Sequence, residues 1–312
     1  MAAKSFAADT GVGIDNIAPR ALERLSDEAL QALASVLNAC ELNGNWGQCN
    51  ALVLTVLLPK ADGGLRPVGL LPTAIRIWMR TRTHITRQWG AKHAHPSLFG
   101  GRDMGAQKAA WITAFRAELA SAIKVEKVQA LLDMTKAFET IPHKKLVQTA
   151  RKSSYNLAML KLSLAAYRIP RSVGVDGVQA KPVPATRGIT ARPGFATTEL
   201  RILMQEVVLI TLAEWGTGVD LTLYVDDLTI ETSGTTTSAA NRCAAAVDFV
   251  CQMLEDEMGF TVSKKKSVVV ASNPMAAVAT AHITGSKRLT AVWVAKLLGT
   301  ATRTGAKRAS IC

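Results

Sequence analysis

Two adjacent carboxylates lie between two β-rich runs in Leu221-Thr222-Leu223-Tyr224-Val225-Asp226-Asp227-Leu228-Thr229-Ile230-Glu231, and this arrangement limits the chain more than any other. Residues 219–231 read as two strands folded around Val225-Asp226-Asp227. Like charges in close contact raise one pKa or recruit a cation, and a hard divalent ion suits carboxylate oxygens. The plainer reading of the pair alone is a solvated Asp-Asp turn.

The rest of the pattern is α+β with a central antiparallel sheet. Residues 19–41 carry apolar residues at helical spacing, with a helix start at Ser26-Asp27-Glu28. Residues 51–58 read as a buried strand, Asp62-Gly63-Gly64 as a hairpin turn and 65–70 as the return strand. Helices are expected over 72–90, 103–125, 143–168, 196–215 and 237–258, strands over 127–132 and 260–271, and an extended ribbon over 170–187.

Asp133 ends the apolar run Lys127-Val128-Gln129-Ala130-Leu131-Leu132. A lone Asp there is ordinarily a helix N-cap. Carboxylates at the ends of neighbouring strands, however, are what a two-metal phosphoryl-transfer site requires. The stretch LLDMTKAFETIPHKKL at 131–146 resembles the first palm motif of reverse transcriptases, most closely those of non-LTR (LINE-type) retroelements, and YVDD at 224–227 resembles their Tyr/Phe-x-Asp-Asp motif. LLPKADGGLRPVGLLPTAIRIWMR at 57–80 is similar to the fingers motif, and GFTVSKKKS at 259–267 to the palm motif ending in Lys-Thr/Ser. AKLLG at 295–299 resembles the primer grip, and RGITARPGFATTELRIL at 187–203 takes the place of the Gly-rich motif. Motifs in family order span residues from about 50 to 300, which makes chance resemblance improbable.

The resemblance implies a right-hand polymerase fold with fingers and palm, an antiparallel palm sheet flanked by helices, and a thumb largely missing. The expected divisions are a flexible N-terminus at 1–18, fingers at 19–100, palm at 101–142, a fingers-side insertion at 143–186, palm again at 187–285, and a primer-grip region with the start of a truncated thumb at 286–312. The implied activity is RNA-directed DNA polymerisation, adding dNTPs to a DNA primer 3′-hydroxyl on an RNA template. Two Mg(II) ions, with Mn(II) as a substitute, would be held by Asp133, Asp226 and Asp227. The same motifs leave open a catalytically inactive remnant that only binds nucleic acid, or a group II intron maturase or retron-type polymerase. Phe138 and the Tyr-x-Asp-Asp form argue against an RNA-synthesising enzyme.

Individual roles follow. Lys60 and Arg66 flank the Gly-Gly turn, where two cations could fold over a triphosphate; the alternative is a surface hairpin with solvated charges. The family places a bulky side chain at the position of Phe138, beneath the sugar of the incoming nucleotide, where it excludes a 2′-hydroxyl. Gly188 and Gly194 allow close backbone approach, with Gly194 assigned to the dNTP site. The family's usual Pro-Gln-Gly is replaced by Ala191-Arg192-Pro193-Gly194, so its Gln contact is not carried over. Lys266 matches the family's Lys and could protonate the leaving pyrophosphate; a solvated basic strand end is the alternative. Arg76, Arg80, Arg187 and Arg192 are candidate phosphate contacts, and Lys296 and Gly299 belong to the primer-grip match.

Composition agrees with a nucleic-acid partner: Lys and Arg exceed Asp and Glu by 13 charges. No apolar run approaches a membrane span, and the first residues lack a secretory h-region. Five Cys without a CxxC pair argue against zinc, the histidines show no metal-ligand spacing, and Cys312, the last residue, does not fit a prenylation motif. The expected location is intracellular, nuclear by family analogy. Nothing in the sequence sets the oligomeric state.

Overall fold

A computed structural model describes residues 2–60, 63–101, 104–175, 178–190, 194–285 and 288–303. In chain order, the first half contains α1 (Asp27–Asn43), β1 (Val53–Pro59), β2 (Leu65–Leu70), α2 (Thr73–Lys92), α3 (Ala106–Ala122), β3 (Glu126–Leu132), α4 (Ala137–Thr140), α5 (His143–Lys152) and α6 (Leu157–Tyr167). The second half contains β4 (Arg171–Val175), β5 (Val178–Gln179), α7 (Ala196–Trp215), β6 (Asp220–Tyr224), β7 (Asp227–Gly234), α8 (Thr236–Gln252), β8 (Val268–Ala271), α9 (Pro274–Ile283), β9 (Thr290–Ala291), β10 (Val294–Leu297) and β11 (Thr300–Arg303). The chain divides into two compact units, the first formed by Met1–Trp89 and Phe138–Glu199, the second by Gly90–Ala137 and Leu200–Cys312.

The first unit is organised on a sheet of order β2-β1-β4-β5. β1 and β2 pair antiparallel as the hairpin chemistry requires, with Leu58 opposite Arg66, and β4 adds parallel to β1. Helix α1 starts where expected: the Ser26 side chain accepts from the Ala29 N–H, Asp27 and Glu28 fill the first turn, and Gly44 ends it at φ 65°. Trp46, Trp78 and Phe195 form an edge-to-face series in the core, with ring centroids 5.5 and 5.3 Å apart.

The N-terminal segment, expected to be flexible, is tied to the start of α2. Asp15 accepts from the Thr73 N–H at 2.6 Å, and Thr73 Oγ1 donates to the Ile17 carbonyl at 2.6 Å. A carboxylate at a helix start satisfies an orphan N–H and the helix dipole together. Small and polar residues over 1–18 suggest a loose segment, but nothing local shows that this Asp reaches a helix start 58 residues away.

The second unit is organised on a sheet of order β6-β7-β3-β8-β9, antiparallel apart from the β8–β9 pair. Strand alternation gives it two unlike faces. Val128, Ala130, Leu132, Leu228 and Ile230 make one face apolar, and α8 packs beside β3 and β7 through small buried residues that include Ala239, Ala240, Cys243 and Ala244. The other face carries Lys127, Gln129, Thr222, Thr229 and Glu231, all buried. The strand expected over 260–271 forms only at Val268–Ala271, because Lys264–Lys266 leave the sheet as an exposed turn closed by Ser267 N–H to Ser263 O at 2.9 Å. Three consecutive lysines cannot alternate onto a buried face. Among the described residues, no helix is long and apolar enough to cross a membrane. The expected divisions differ from the units at three places: residues 90–100 fall in the second unit, and 138–142 and 187–199 in the first.

Candidate active site

Asp226 and Asp227 stand on a hairpin with a two-residue turn, since Tyr224 pairs directly with Asp227. Val225 takes φ 60°, a conformation that a β-branched residue adopts only against strain of about 1–2 kcal/mol. Strain of this kind persists where surrounding contacts over-determine it. Here the segment Ser97–Gly100 supplies them. Phe99 N–H donates to Leu223 O at 2.8 Å, Leu223 N–H donates to Ser97 O at 2.8 Å, and Gly100 lies against the Val225 backbone. A side chain at Gly100 would meet Val225 N at 3.5 Å.

The third carboxylate comes from β3. In the β3–β7 register Leu132 faces Leu228, so the next step sets Asp133 against Asp227. Directly opposed residues of an antiparallel pair have Cα atoms about 4.5–5.5 Å apart. Alternation puts both side chains on the same face. The Asp133 backbone is held on both sides: its N–H donates to Ser267 Oγ at 3.1 Å, and its carbonyl accepts from Ser263 N–H at 2.8 Å. The enclosing protein pushes the Asp227 carboxyl up to about 6, and the charges of Asp226 and Asp133 add to that shift. The three acidic residues singled out in the sequence therefore lie at the same end of the sheet. Among the described residues, no group of three His, Cys, Asp or Glu side chains is drawn together as a cation cluster. The donor chemistry nevertheless suits a hard divalent ion: carboxylates on adjoining strand ends, close enough that Asp226 and Asp133 raise the Asp227 carboxyl.

Lys266 is exposed and precedes Ser267, the residue that holds Asp133. Lys296 and Gly299 are exposed on the β10–β11 hairpin, whose Leu298–Gly299 turn has φ 48° and 90°, the primed geometry that suits a two-residue hairpin.

The remaining candidates belong to the first unit. Lys60 and Arg66 are exposed at the β1–β2 turn, which closes through Lys60 N–H to Gly64 O at 2.7 Å; Ala61 and Asp62 lie outside the described residues. Phe138 is only half-buried, unlike an ordinary core ring, and its carbonyl accepts from Ile189 N–H at 2.8 Å. Gly188 makes its close approach to the protein itself. At φ 80° it lies on the Glu139 backbone, where any Cβ would collide with the carbonyl, and His143 Nε2 donates to its carbonyl at 2.8 Å. Burial lowers the His143 pKa, in keeping with a neutral ring. Gly194 lies beside the Met79 backbone. Arg187 is exposed, and Arg192 lies outside the described residues. Arg76 donates to Gly11 O at 2.7 Å, and both Arg76 and Arg80 stack over Phe6, at 5.4 and 4.6 Å from the ring centroid.

Sequence reading missed two parts of this arrangement. Ser97–Gly100 offered only a short apolar pair before two glycines, with no sign that it would brace β6. The buried acid Glu231 was visible only as the end of a strand; Lys127 and Gln129 alternate with apolar residues, yet their partner depends on register.

Two solved structures share the fold at 14% identity. One is apo telomerase from Candida tropicalis truncated from its C-terminal domain, with a TM-score of 0.55 over 88% of this chain and 58% of that one. The other is telomerase from Candida tropicalis in complex with the TWJ fragment of telomeric RNA, with a TM-score of 0.53 over 78% of this chain and 45% of that one. The fold is that of a right-hand polymerase, and the chain spans about half the length of these neighbours. The family described as reverse transcriptase (RNA-dependent DNA polymerase) matches residues 58–299. The chain belongs to the reverse transcriptase family, a family of nucleotidyltransferases. No curated protein matches it in sequence.

Proposed function

We propose that this chain is an RNA-directed DNA polymerase domain of non-LTR type that extends a DNA primer on an RNA template with dNTPs. The observation that carries this reading is the β3–β7 register, which brings Asp133 against Asp227 at the end of the strained Tyr224–Asp227 hairpin. In this reading the second unit serves as palm and the first as fingers.

Asp133, Asp226 and Asp227 would hold two divalent ions, Mg(II) first and Mn(II) as a substitute. Such ions lower the pKa of an attacking hydroxyl and neutralise a triphosphate. The chain's own residues do the rest. The primer 3′-hydroxyl gives its proton to water as its oxygen bonds to the α-phosphorus and the bond to pyrophosphate breaks, and Lys266 supplies the proton that pyrophosphate takes up. Lys60 and Arg66 neutralise the triphosphate, Arg through paired contacts and Lys as a point charge. Phe138 lies under the sugar and rejects a 2′-hydroxyl. Gly194 lines the nucleotide site, and Arg187, Arg192, Lys296 and Gly299 contact template or primer. Arg76 and Arg80 join them once Phe6 is displaced.

The test is extension of a labelled DNA primer on an RNA template with dNTPs and Mg(II). Extension by the wild type that Asp226→Ala reduces to background is the expected result. Equal extension by both proteins, or none by either, overturns the reading.

A further inference from the structure

The polar face of the second unit's sheet holds a closed network that the active-site account does not use. Glu231 is fully buried. Its Oε2 takes a hydrogen bond from Arg116 Nη1 at 3.0 Å, and its Oε1 takes one from Gln129 Nε2 at 2.9 Å, with Lys127 Nζ 3.3 Å away. Arg116 also donates to Thr222 Oγ1 at 3.1 Å and pairs with Asp220 at 3.5 Å. Burying a carboxylate with a lysine and an amide is costly unless each group is partnered, and an apolar layer would fill the same space without that cost. Besides Arg116 on α3, Thr302 on β11 joins the network from outside the sheet: its Oγ1 donates to Gln129 Oε1 at 2.7 Å.

That bond joins the β10–β11 hairpin to the catalytic face. Gln129 and Asp133 share a face of β3 and stand four residues apart, about 13 Å along the strand. Thr302 pairs with Ala295, next to Lys296 and two pairs short of the Leu298–Gly299 turn. Glu231 fixes the Gln129 amide by accepting from its nitrogen, which leaves the amide oxygen to receive Thr302.

We infer that Gln129 and Thr302 are positioning residues that lock the β10–β11 hairpin to the catalytic sheet, and so set where a primer's 3′ end rests relative to Asp133. This rests on reading the hairpin as the primer grip. The tie acts on a recessed 3′ end and leaves general affinity for nucleic acid untouched, because neither residue carries a charge that could contact phosphate.

The test uses the full chain and a fluorescent RNA–DNA hybrid, either blunt or with a recessed DNA 3′ end, followed by anisotropy. Thr302→Val keeps the side chain's shape and removes the donor. It raises the Kd for the recessed hybrid roughly fivefold, the effect of one neutral hydrogen bond, and leaves the blunt hybrid unchanged. Thr302→Ser, which keeps the hydroxyl, restores the wild-type value. Primer KM rises more than kcat falls. A Thr302→Val protein that binds both hybrids like the wild type, or loses both equally, overturns the inference. If the wild type extends no primer while Thr302→Val still selectively weakens the recessed hybrid, the polymerase reading fails and the tie stands.

Discussion

Each unit buries one glutamate completely, and the two are treated in opposite ways. Glu231 in the second unit meets Arg116, Lys127 and Gln129. Glu199 in the first receives the Tyr167 hydroxyl at 2.6 Å, has the Ser163 hydroxyl beside it, and meets no cation among the described residues. Burial therefore pushes the Glu199 carboxyl up to about 7, with the Tyr167 bond pulling against it. Burial does not decide what a carboxylate contributes; its partners do. The sheet that carries Asp133 and Asp227 is held by compensated charge, whereas the first unit carries an acid that is easier to keep protonated.

The same substitution should then act with opposite sign in the two places. Glu231→Gln strands Arg116 and Lys127 against a neutral amide and should destabilise the second unit by roughly 3–5 kcal/mol, read from urea unfolding at pH 8. A neutral or stabilising result would break the comparison.

Glu199 sets a pH dependence. Below its ordinary value of 4.5 both folded and unfolded chains hold the proton. As pH rises from there to about 7 the unfolded chain ionises first, so stability falls, and above about 7 the loss is complete. Glu199→Gln should remove that decline, about 3 kcal/mol, so that the variant gains on the wild type between pH 5 and pH 8. Parallel pH profiles for the two proteins would contradict it.

Backbone strain offers a second contrast. Gly188→Ala, at φ 80° against the Glu139 backbone, should cost about 3 kcal/mol in thermal or urea unfolding. Val225→Gly, at φ 60°, should relieve strain and stabilise by about 0.5 kcal/mol once glycine's entropy is deducted, while lowering primer extension because Asp226 and Asp227 lose their fixed turn. An active, unstable Val225→Gly would show that the strain is not used.

The carboxylate site was legible because its residues announce themselves locally. Asp226 and Asp227 stand between two strand patterns, Asp133 ends an apolar run, and Asp62-Gly63-Gly64 marks its hairpin. What was not legible depends on distant pairing. The Glu231 network needs β3, β7 and α3 in one register, and Asp15 needs the start of α2 beside it. Arg76 and Arg80 looked free for phosphate because nothing in the helix pattern shows Phe6 stacked on them. Gly188 was read as making room for a bound partner, whereas the room is taken by Glu139.

If Asp133, Asp226 and Asp227 act as one cation-binding group, loss of any one of them should abolish binding. Calorimetric titration of Mn(II) into the wild type, with Asp133→Asn and Asp226→Asn alongside, tests it most directly. The expected result is binding by the wild type that either substitution alone removes, although Asp133 follows β3 and Asp226 sits in the β6–β7 turn. Mn(II) binding that survives Asp133→Asn unchanged would contradict it.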